Sequence, residues 1–446
     1  MGRIAILKSL ILSKLIYLWI LLPNPPHQEI KHLQKMCYEF IWDKKTDRIK
    51  RKYAVQSIEN GGLAVPDIET YIKALKLMWI RKIYLGNPKW KNILCTSCAD
   101  IDRLDVYGAS KYIDNNGNKF WKDVFSAYMN FTNNVTPQDS HEVLAEPIFY
   151  NNKFKIGDMA ISFRNWINKE ILLVRDIINE KGQFLDYKQF SEKYGIKVNF
   201  LDYFGCLQSV KNYLRKENIV INDRKANKTT KALQIIASVN KGSKTYYNNL
   251  LEKTMIFDIT AFVKWEQQLG FPVDWEKTML QIRKIKEVKL KWFQIRICHR
   301  ILVTNSILKK MGIASSENCS FCDKVKDSVQ HYLWFCNFSQ DFRRDIENIF
   351  REKCDNCFRL KLNVELVLFG NDEHTTTDEV FDQIILFAKH FVYKCRIHKI
   401  KPNIKHFLKE LKQMYEVDKY SQHKKMMYME FKKKWYPYQN LLKAYA

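Results

Sequence analysis

The stretch Cys319-Ser320-Phe321-Cys322, followed by His331 and Cys336, has the spacing C-x2-C-x8-H-x4-C. Zn²⁺ takes four soft nitrogen or sulfur ligands in a tetrahedron at roughly 2.0–2.3 Å. Two cysteines separated by two residues place both sulfurs on one ion from a single tight turn. His331 and Cys336 then close the site from a following helical turn, with the loop from Asp323 to Ser328 between the halves. Coordination supplies what the thiols need to become thiolates. The competing reading is three small core hydrophobes and a surface histidine. Four ligand-type residues at knuckle-like spacing favour zinc, held by Cys319, Cys322, His331 and Cys336.

Immediately upstream, Lys284, Lys286, Lys289, Lys291, Arg296, Arg300, Lys309 and Lys310 surround an apolar helical pattern of Leu290, Phe293, Ile297 and Ile301. Trp292 and His299 add flat side chains suited to stacking on bases. A solvated basic face beside a core stripe is the plainer reading of the same residues. Nearness to Cys319 favours binding, because helix and knuckle would share one surface. Downstream, Phe338 to Phe350 is amphipathic with Phe342, Ile346 and Phe350 inward, and 384–392 and 404–415 read as further helices. The end alternates Lys432, Lys433 and Lys434 with Phe431, Trp435 and Tyr436. That pattern suits a phosphate backbone or a membrane surface, and equally a helix with its aromatics packed on the core.

The N-terminal 90 residues predict a helical unit. Ile4 to Leu22 is apolar, but Lys8, Ser9, Ser13 and Lys14 interrupt it and no small-residue cleavage site follows, so it reads as a helix of a soluble protein and not a membrane span. Its expected core stripe is Ile4, Leu7, Ile11, Leu15, Leu18 and Leu22. Pro23-Asn24-Pro25-Pro26 breaks the chain. A second helix, His27 to Trp42, carries Ile30, Leu33, Met36, Cys37, Phe40 and Ile41 on one side. A basic segment follows, with Lys44, Lys45, Arg48, Lys50, Arg51 and Lys52 as candidate phosphate contacts. Gly61-Gly62 then turns the chain toward a helix capped by Asp67, with Ile68, Tyr71, Ile72, Leu75 and Trp79 inward.

Several of these pieces, in this order, resemble one family. Gly2-Arg3-Ile4-Ala5-Ile6-Leu7-Lys8, Leu15-Ile16-Tyr17, Phe40-Ile41-Trp42, and Gly61-Gly62-Leu63 with Pro66-Asp67 and Tyr71 are similar to the region after the palm in reverse transcriptases of non-LTR, long interspersed retrotransposons. The run His331-Tyr332-Leu333-Trp334-Phe335-Cys336 is similar to the zinc knuckle near that family's C-terminus. The resemblance implies a thumb that grips template–primer, a Zn²⁺ cofactor, RNA and/or DNA as partner, and work in cytoplasm and nucleus. It also implies an RNA-directed DNA polymerase whose palm holds two metal ions on aspartates. This sequence contains no Asp-Asp pair, so no catalytic residue is assigned, and a palm would come from a longer reverse transcriptase chain.

Between these ends, residues 86–150 read as loop-rich, with lone C-x2-C pairs at Cys95/Cys98 and, later, Cys354/Cys357 taken as structural. From Ile161 to Leu214 several short helices are expected, and 222–231 reads as a basic linker. The overall expectation is a mainly α chain of several small helical domains: thumb-like 1–90, connector 91–245, zinc-binding 246–345 and C-terminal 346–446. No H-E-x-x-H, G-x-S-x-G or serine triad context is present, and Asp372-Glu373 reads as a solvated loop pair.

Composition fits nucleic acid. Across 446 residues, 74 Lys plus Arg face 48 Asp plus Glu, a net charge of +26, spread from end to end. Such a field attracts phosphate in a salt-dependent manner. Acidic proteins or anionic membrane bound by a helical scaffold are the competing partner class. Eleven dispersed cysteines point to reduced thiols rather than a disulfide framework.

Overall fold

The computed structural model describes residues 1–86, 88–115, 117–252, 258–354, 361–370 and 379–443. Cys357 and the Asp372-Glu373 pair lie outside the described residues. The chain is mainly α, as the periodicities predict; the strands named among the described residues are one hairpin, Lys155–Ile156 with Met159–Ala160, turning at Gly157. It divides into two compact units. One contains Met1–Gly2, Thr46–Val65 and Ile256–Ala446, and the other contains Arg3–Lys45 and Pro66–Met255.

In the unit built from Arg3–Lys45 and Pro66–Met255, the helix His27–Trp42 spans the predicted residues. Helix Ile68–Leu85 begins where its cap demands, with the Asp67 carboxylate accepting from the Thr70 amide at 2.9 Å. Ile68, Ile72 and Leu75 are buried on its inward face. The first helix differs from expectation in its phase. Ile4, Leu7, Leu12 and Trp19 are buried, whereas Ile11, Leu18 and Leu22 are exposed. Residues Leu7–Leu12 form a π-turn, whose wider i→i+5 spacing puts Leu12 where a strict α-helix would bring Ile11. Gly2–Leu21 is also long and apolar enough to cross a membrane, although part of that face packs against Ile68, Ile72 and Leu75.

Residues 86–150 are more helical than the Asn- and Gly-rich spacing suggests. Helices Lys89–Ser97 and Lys119–Asn134 dominate, and the latter buries Val124, Phe125, Ala127, Tyr128 and Phe131. Asn118, inside the stretch expected to be loop, caps the second of these helices, its side chain accepting from the Phe120 amide at 2.9 Å. Further along, Trp166, Phe190, Tyr203 and Val210 anchor a separate apolar cluster under helix Phe200–Lys216.

The other unit carries the cysteine–histidine stretch. Helix Val288–Cys298 is buried at Leu290, Phe293, Gln294, Ile295, Ile297 and Cys298, so it runs through the core. Helix Asn337–Lys353 buries Phe342, Ile346 and Phe350 as predicted, and helices Glu379–Ile397 and Ile404–Lys424 pack beside it. The end of the chain, Tyr428–Trp435, turns Phe431 and Trp435 into the core. Lys432, Lys433 and Lys434 stay outside.

Segment Thr46–Val65 enters this unit through two glycines. Gly61 has φ +76°, and a β-carbon there would lie 2.4 Å from Ile259 Cδ1. At Gly62 a β-carbon would lie 2.0 Å from the Gln56 carbonyl oxygen and 2.6 Å from that of Tyr53, both backbone atoms that cannot rotate aside. Gly62→Ala is therefore expected to lower stability by about 2–3 kcal/mol or more in chemical denaturation. A change of only a few tenths would show that the turn relaxes freely.

Candidate metal centre

A short pseudo-hairpin presents the first two ligands. The Cys319 amide donates to Val325 O at 2.8 Å, Asp327 N donates to Glu317 O at 2.8 Å, and Asn318 bridges Lys326. The turn closes with Asp323 N on Cys319 O at 2.9 Å, at a left-handed Asp323 that the Asn318 amide also binds through its carbonyl. This leaves the Phe321 amide pointing back at Cys319 Sγ, 3.5 Å away. Such backbone N–H groups stabilise a thiolate.

The last two ligands come from a second π-turn, His331–Phe335. Its i→i+5 bond, Cys336 N to His331 O at 2.7 Å, returns the chain over one wide turn, so that residues five apart face the same side. The four ligand atoms all lie within 4.8 Å of one another. Cys319 Sγ and Cys336 Sγ are 3.9 Å apart, and Cys322 Sγ is 3.4 Å from His331 Nε2. A zinc tetrahedron with bonds of roughly 2.3 Å to sulfur and 2.0–2.1 Å to nitrogen has edges of about 3.8 Å between sulfurs and about 3.5 Å between sulfur and nitrogen. The donor set therefore fits the ion in both chemistry and size. The sulfur separation is also far beyond the roughly 2.05 Å of a disulfide. Cys319 and Cys336 are fully buried, His331 nearly so, and Cys322 faces the edge.

The electrostatics favour a thiolate at Cys319. The Cys336 thiol donates toward it, the Cys322 and Phe321 amides add to that, and its pKa falls well below the usual thiol value. The same closeness drives Cys336 upward, and coordination of a metal ion is what displaces the proton from such a thiol. A site closed by four protein ligands leaves no position open for substrate, and the ion's contribution there is structural.

Outside the ligands, a buried carboxylate organises the loop. Asp327 Oδ2 accepts from Asn305 N at 2.6 Å and Arg396 Nε at 2.9 Å, and Arg396 Nη2 binds it as well. Arg396 Nη2 also donates to Asn305 Oδ1 at 3.1 Å, with its guanidinium over the Tyr332 ring. Asn305 Nδ2 in turn donates to Asn318 O at 2.7 Å and Ser320 Oγ at 3.0 Å. Arg343 performs a second support, donating to Leu333 O and Trp334 O at 3.1 and 2.7 Å and stacking 3.7 Å over Trp334. Neither arginine stands out in the sequence, because each is one of many basic residues far from the cysteines. The C-x2-C pair at Cys95 and Cys98 belongs to the other unit; Cys354 is buried.

The predicted basic residues divide into two groups. Lys284, Lys286, Lys289, Lys309 and Lys310 are exposed. Lys291 is half-buried and donates to Arg283 O at 2.9 Å, Arg300 donates to Lys264 O and lies over Trp265, and Arg296 lies over Tyr393. Trp292 is half-buried. His299 is a correction to the stacking expectation. It is 8% exposed, its Nε2 lies 2.8 Å from Gly61 O, and its ring packs against Phe262. His299 is the residue that follows helix Val288–Cys298, whose last turn buries Ile295, Ile297 and Cys298 and draws the ring into the core with them. Arg48, Lys50, Arg51 and Lys52 are exposed on Thr46–Val65, with Arg51 paired to Asp47, while Lys44 and Lys45 are exposed in the other unit. Sequence reasoning passed over Lys324 and Lys326 on the knuckle loop and Phe335, which is 52% exposed beside Cys336. Their signal was adjacency to the ligands.

Three outcomes follow from this geometry. Cys319→Ser is expected to take metal content in native mass spectrometry from one zinc per chain to none. Arg396→Met, which leaves the Asp327 carboxylate buried and unpaired, is expected to cost about 3–5 kcal/mol in denaturation and to speed zinc release to a chelator. Burial lowers the His299 pKa to about 4, against about 6.5 for an unfolded histidine. The folded state thus binds fewer protons, and this contribution is complete above pH 6.5 and is lost as pH falls toward 4, about 3 kcal/mol in all. His390, also pushed down to about 4, acts in the same direction. His299→Gln is expected to flatten, without abolishing, the fall in stability over that window, and an unchanged pH profile would refute the assignment.

Residues 257–342 match the family model described as zinc-binding in reverse transcriptase. The four ligands fall inside that match, so Cys319, Cys322, His331 and Cys336 form the cluster suited to hold Zn²⁺ in a zinc-binding region associated with reverse transcriptases.

Proposed function

We propose that this chain is a nucleic-acid-binding part of a non-LTR retrotransposon reverse transcriptase, with a thumb-like N-terminal region, that grips RNA or template–primer through basic helices and a zinc knuckle. Its exposed lysines contact phosphate, and the polymerase chemistry belongs to a palm on a longer reverse transcriptase chain. On this reading it works in the cytoplasm and nucleus.

The observation that carries the reading is the tether between knuckle and basic helix. Asn305 opens the short helix Asn305–Lys310 and is bonded to both Asn318 and Ser320. Exposed Lys309 and Lys310 are thereby held at a fixed place relative to the zinc ligands. Lys324, Lys326 and the exposed ring of Phe335 come from the knuckle itself. Cations for phosphate and a flat side chain for a base are the usual components of single-strand binding.

The test is fluorescence anisotropy of a labelled single-stranded RNA across a salt series. Replacing Lys309 and Lys310 by alanine is expected to lower the slope of log K against log salt by about 1.4, two phosphate contacts at about 0.7 each. Phe335→Ala is expected to cost about 1–3 kcal/mol with the slope unchanged. Binding that ignores all three positions, or that anionic vesicles remove at matched charge, would favour a helical scaffold for acidic partners.

A further inference from the structure

The unit that carries the knuckle also contains a cleft of about 950 Å³, between helices Trp275–Lys284 and Val288–Cys298 on one side and Glu379–Ile397, Ile404–Lys424 and Tyr428–Trp435 on the other. None of the four zinc ligands lines it. Leu290, Leu366, Phe369, Leu386, Phe431 and Trp435 form apolar walls, and charged side chains of both signs, among them Lys284, Glu287 and Glu430, stand at the rim. Ligand cavities generally run from about 300 to 1,000 Å³ with mostly apolar walls and a few placed polar groups.

The placed polar group here is Lys389. It lines the cleft and is 5% exposed. Its ammonium donates to Gln294 Oε1 at 2.7 Å and to Leu368 O at 3.4 Å, both neutral acceptors. No carboxylate among the described residues is within ion-pair distance, and Asp382 acts on it only through space. Cys298, its other close neighbour, is buried and pushed up to about 12, so it remains a neutral thiol. The contrast with Arg396, seven residues on in the same helix, is direct. Arg396 is equally buried and has Asp327 at hydrogen-bond distance.

A buried cation is costly unless an anion or a full set of hydrogen bonds accompanies it. Desolvation lowers Lys389 to about 8, which is the response of an amine lacking such a partner. We propose that this cleft binds an apolar monocarboxylate of the fatty-acid class, its carboxylate on Lys389 and its hydrocarbon body along the leucine- and aromatic-lined walls. The anionic head follows from the unmatched cation, the apolar body from the walls. A volume of about 950 Å³ has room for a body larger than that of a simple organic acid. The proposal does not depend on nucleic-acid binding.

The test uses the full zinc-loaded chain and isothermal titration with decanoate, with decanol as the uncharged control of similar body. One decanoate per chain is expected, bound at least tenfold more tightly than decanol. Lys389→Met keeps the apolar bulk and is expected to reduce decanoate to the level of decanol, with zinc content unchanged. Leu280→Trp, which narrows the cleft from a partly exposed wall position, is expected to weaken both ligands with Lys389 intact. Equal binding of decanoate and decanol, several decanoates per chain, or an unaltered affinity in Lys389→Met would each overturn the proposal.

Discussion

The knuckle depends on a carboxylate that is not one of its ligands. Asp327 lies at the end of the ligand loop, fully buried, and a carboxylate in that position must be matched by donors or it destabilises the fold. Arg396 and Asn305 match it from two different helices. Asn305 meets Asp327 through its backbone amide, and its side chain reaches back to Asn318 and Ser320, the residues flanking Cys319. The loop is thus pinned at its start and at its end by one polar network before any ion is considered. Coordination then acts on ligands whose backbone is already placed, which lowers the ordering entropy that metal binding must overcome.

The site was legible because ligand spacing is a local property. Two cysteines on a tight turn and a histidine and cysteine five apart specify an arrangement that does not depend on distant residues. What supports the site was not legible, since Arg396 and Arg343 are two cations among many and their partners are fixed only by folding. The interval of four residues between His331 and Cys336 has a physical explanation that an α-helical reading misses. In an α-helix positions five apart diverge, whereas the π-turn bonded from Cys336 to His331 brings them to one side. The first helix shows the same effect: Leu7 and Leu12 are also five apart, joined by a π-turn, and both are buried. A search at period 3.6 selects Ile11 instead. The ligand spacing and the misread phase of the first helix thus share one cause, and hydrophobic periodicity alone does not reveal it.

Charge was legible in sum and not in place. A net +26 establishes the field around the chain, but which cations meet solvent is settled by packing. Helix Val288–Cys298 looked like a basic face on an apolar stripe, yet six of its eleven residues are buried, leaving little outer face. Arg296 and Arg300 lie over aromatic rings, and His299 holds a backbone carbonyl. The free-standing cations are those on short segments projecting from the core, such as Lys309 and Lys310. Long side chains pack their stems and expose their heads, so burial of an Arg or Lys cannot be read from helical position alone. The asparagines of residues 86–150 show the converse, because Asn118 starts a long core helix instead of ending one.

Embedding changes what zinc does for this protein. An isolated zinc finger has almost no core, and its folding free energy is close to its metal-binding free energy. Here Tyr332 and Leu333 on the ligand turn itself are buried, Tyr332 packs on Tyr393 and Tyr393 on Phe293, while Phe342 stacks on Phe391. At about 25 cal/mol per Å² of apolar surface, side chains of this size contribute on the order of 2 kcal/mol each without any metal. The helical core thus has packing of its own, and the ion acts on the segment from Cys319 to Cys336 that carries its ligands. That segment ends in Phe335, carries Lys324 and Lys326, and is bonded to the helix bearing Lys309 and Lys310. The ion's own share is thus the geometry of this one segment, set against a helical core whose side chains pack on one another and not on the metal.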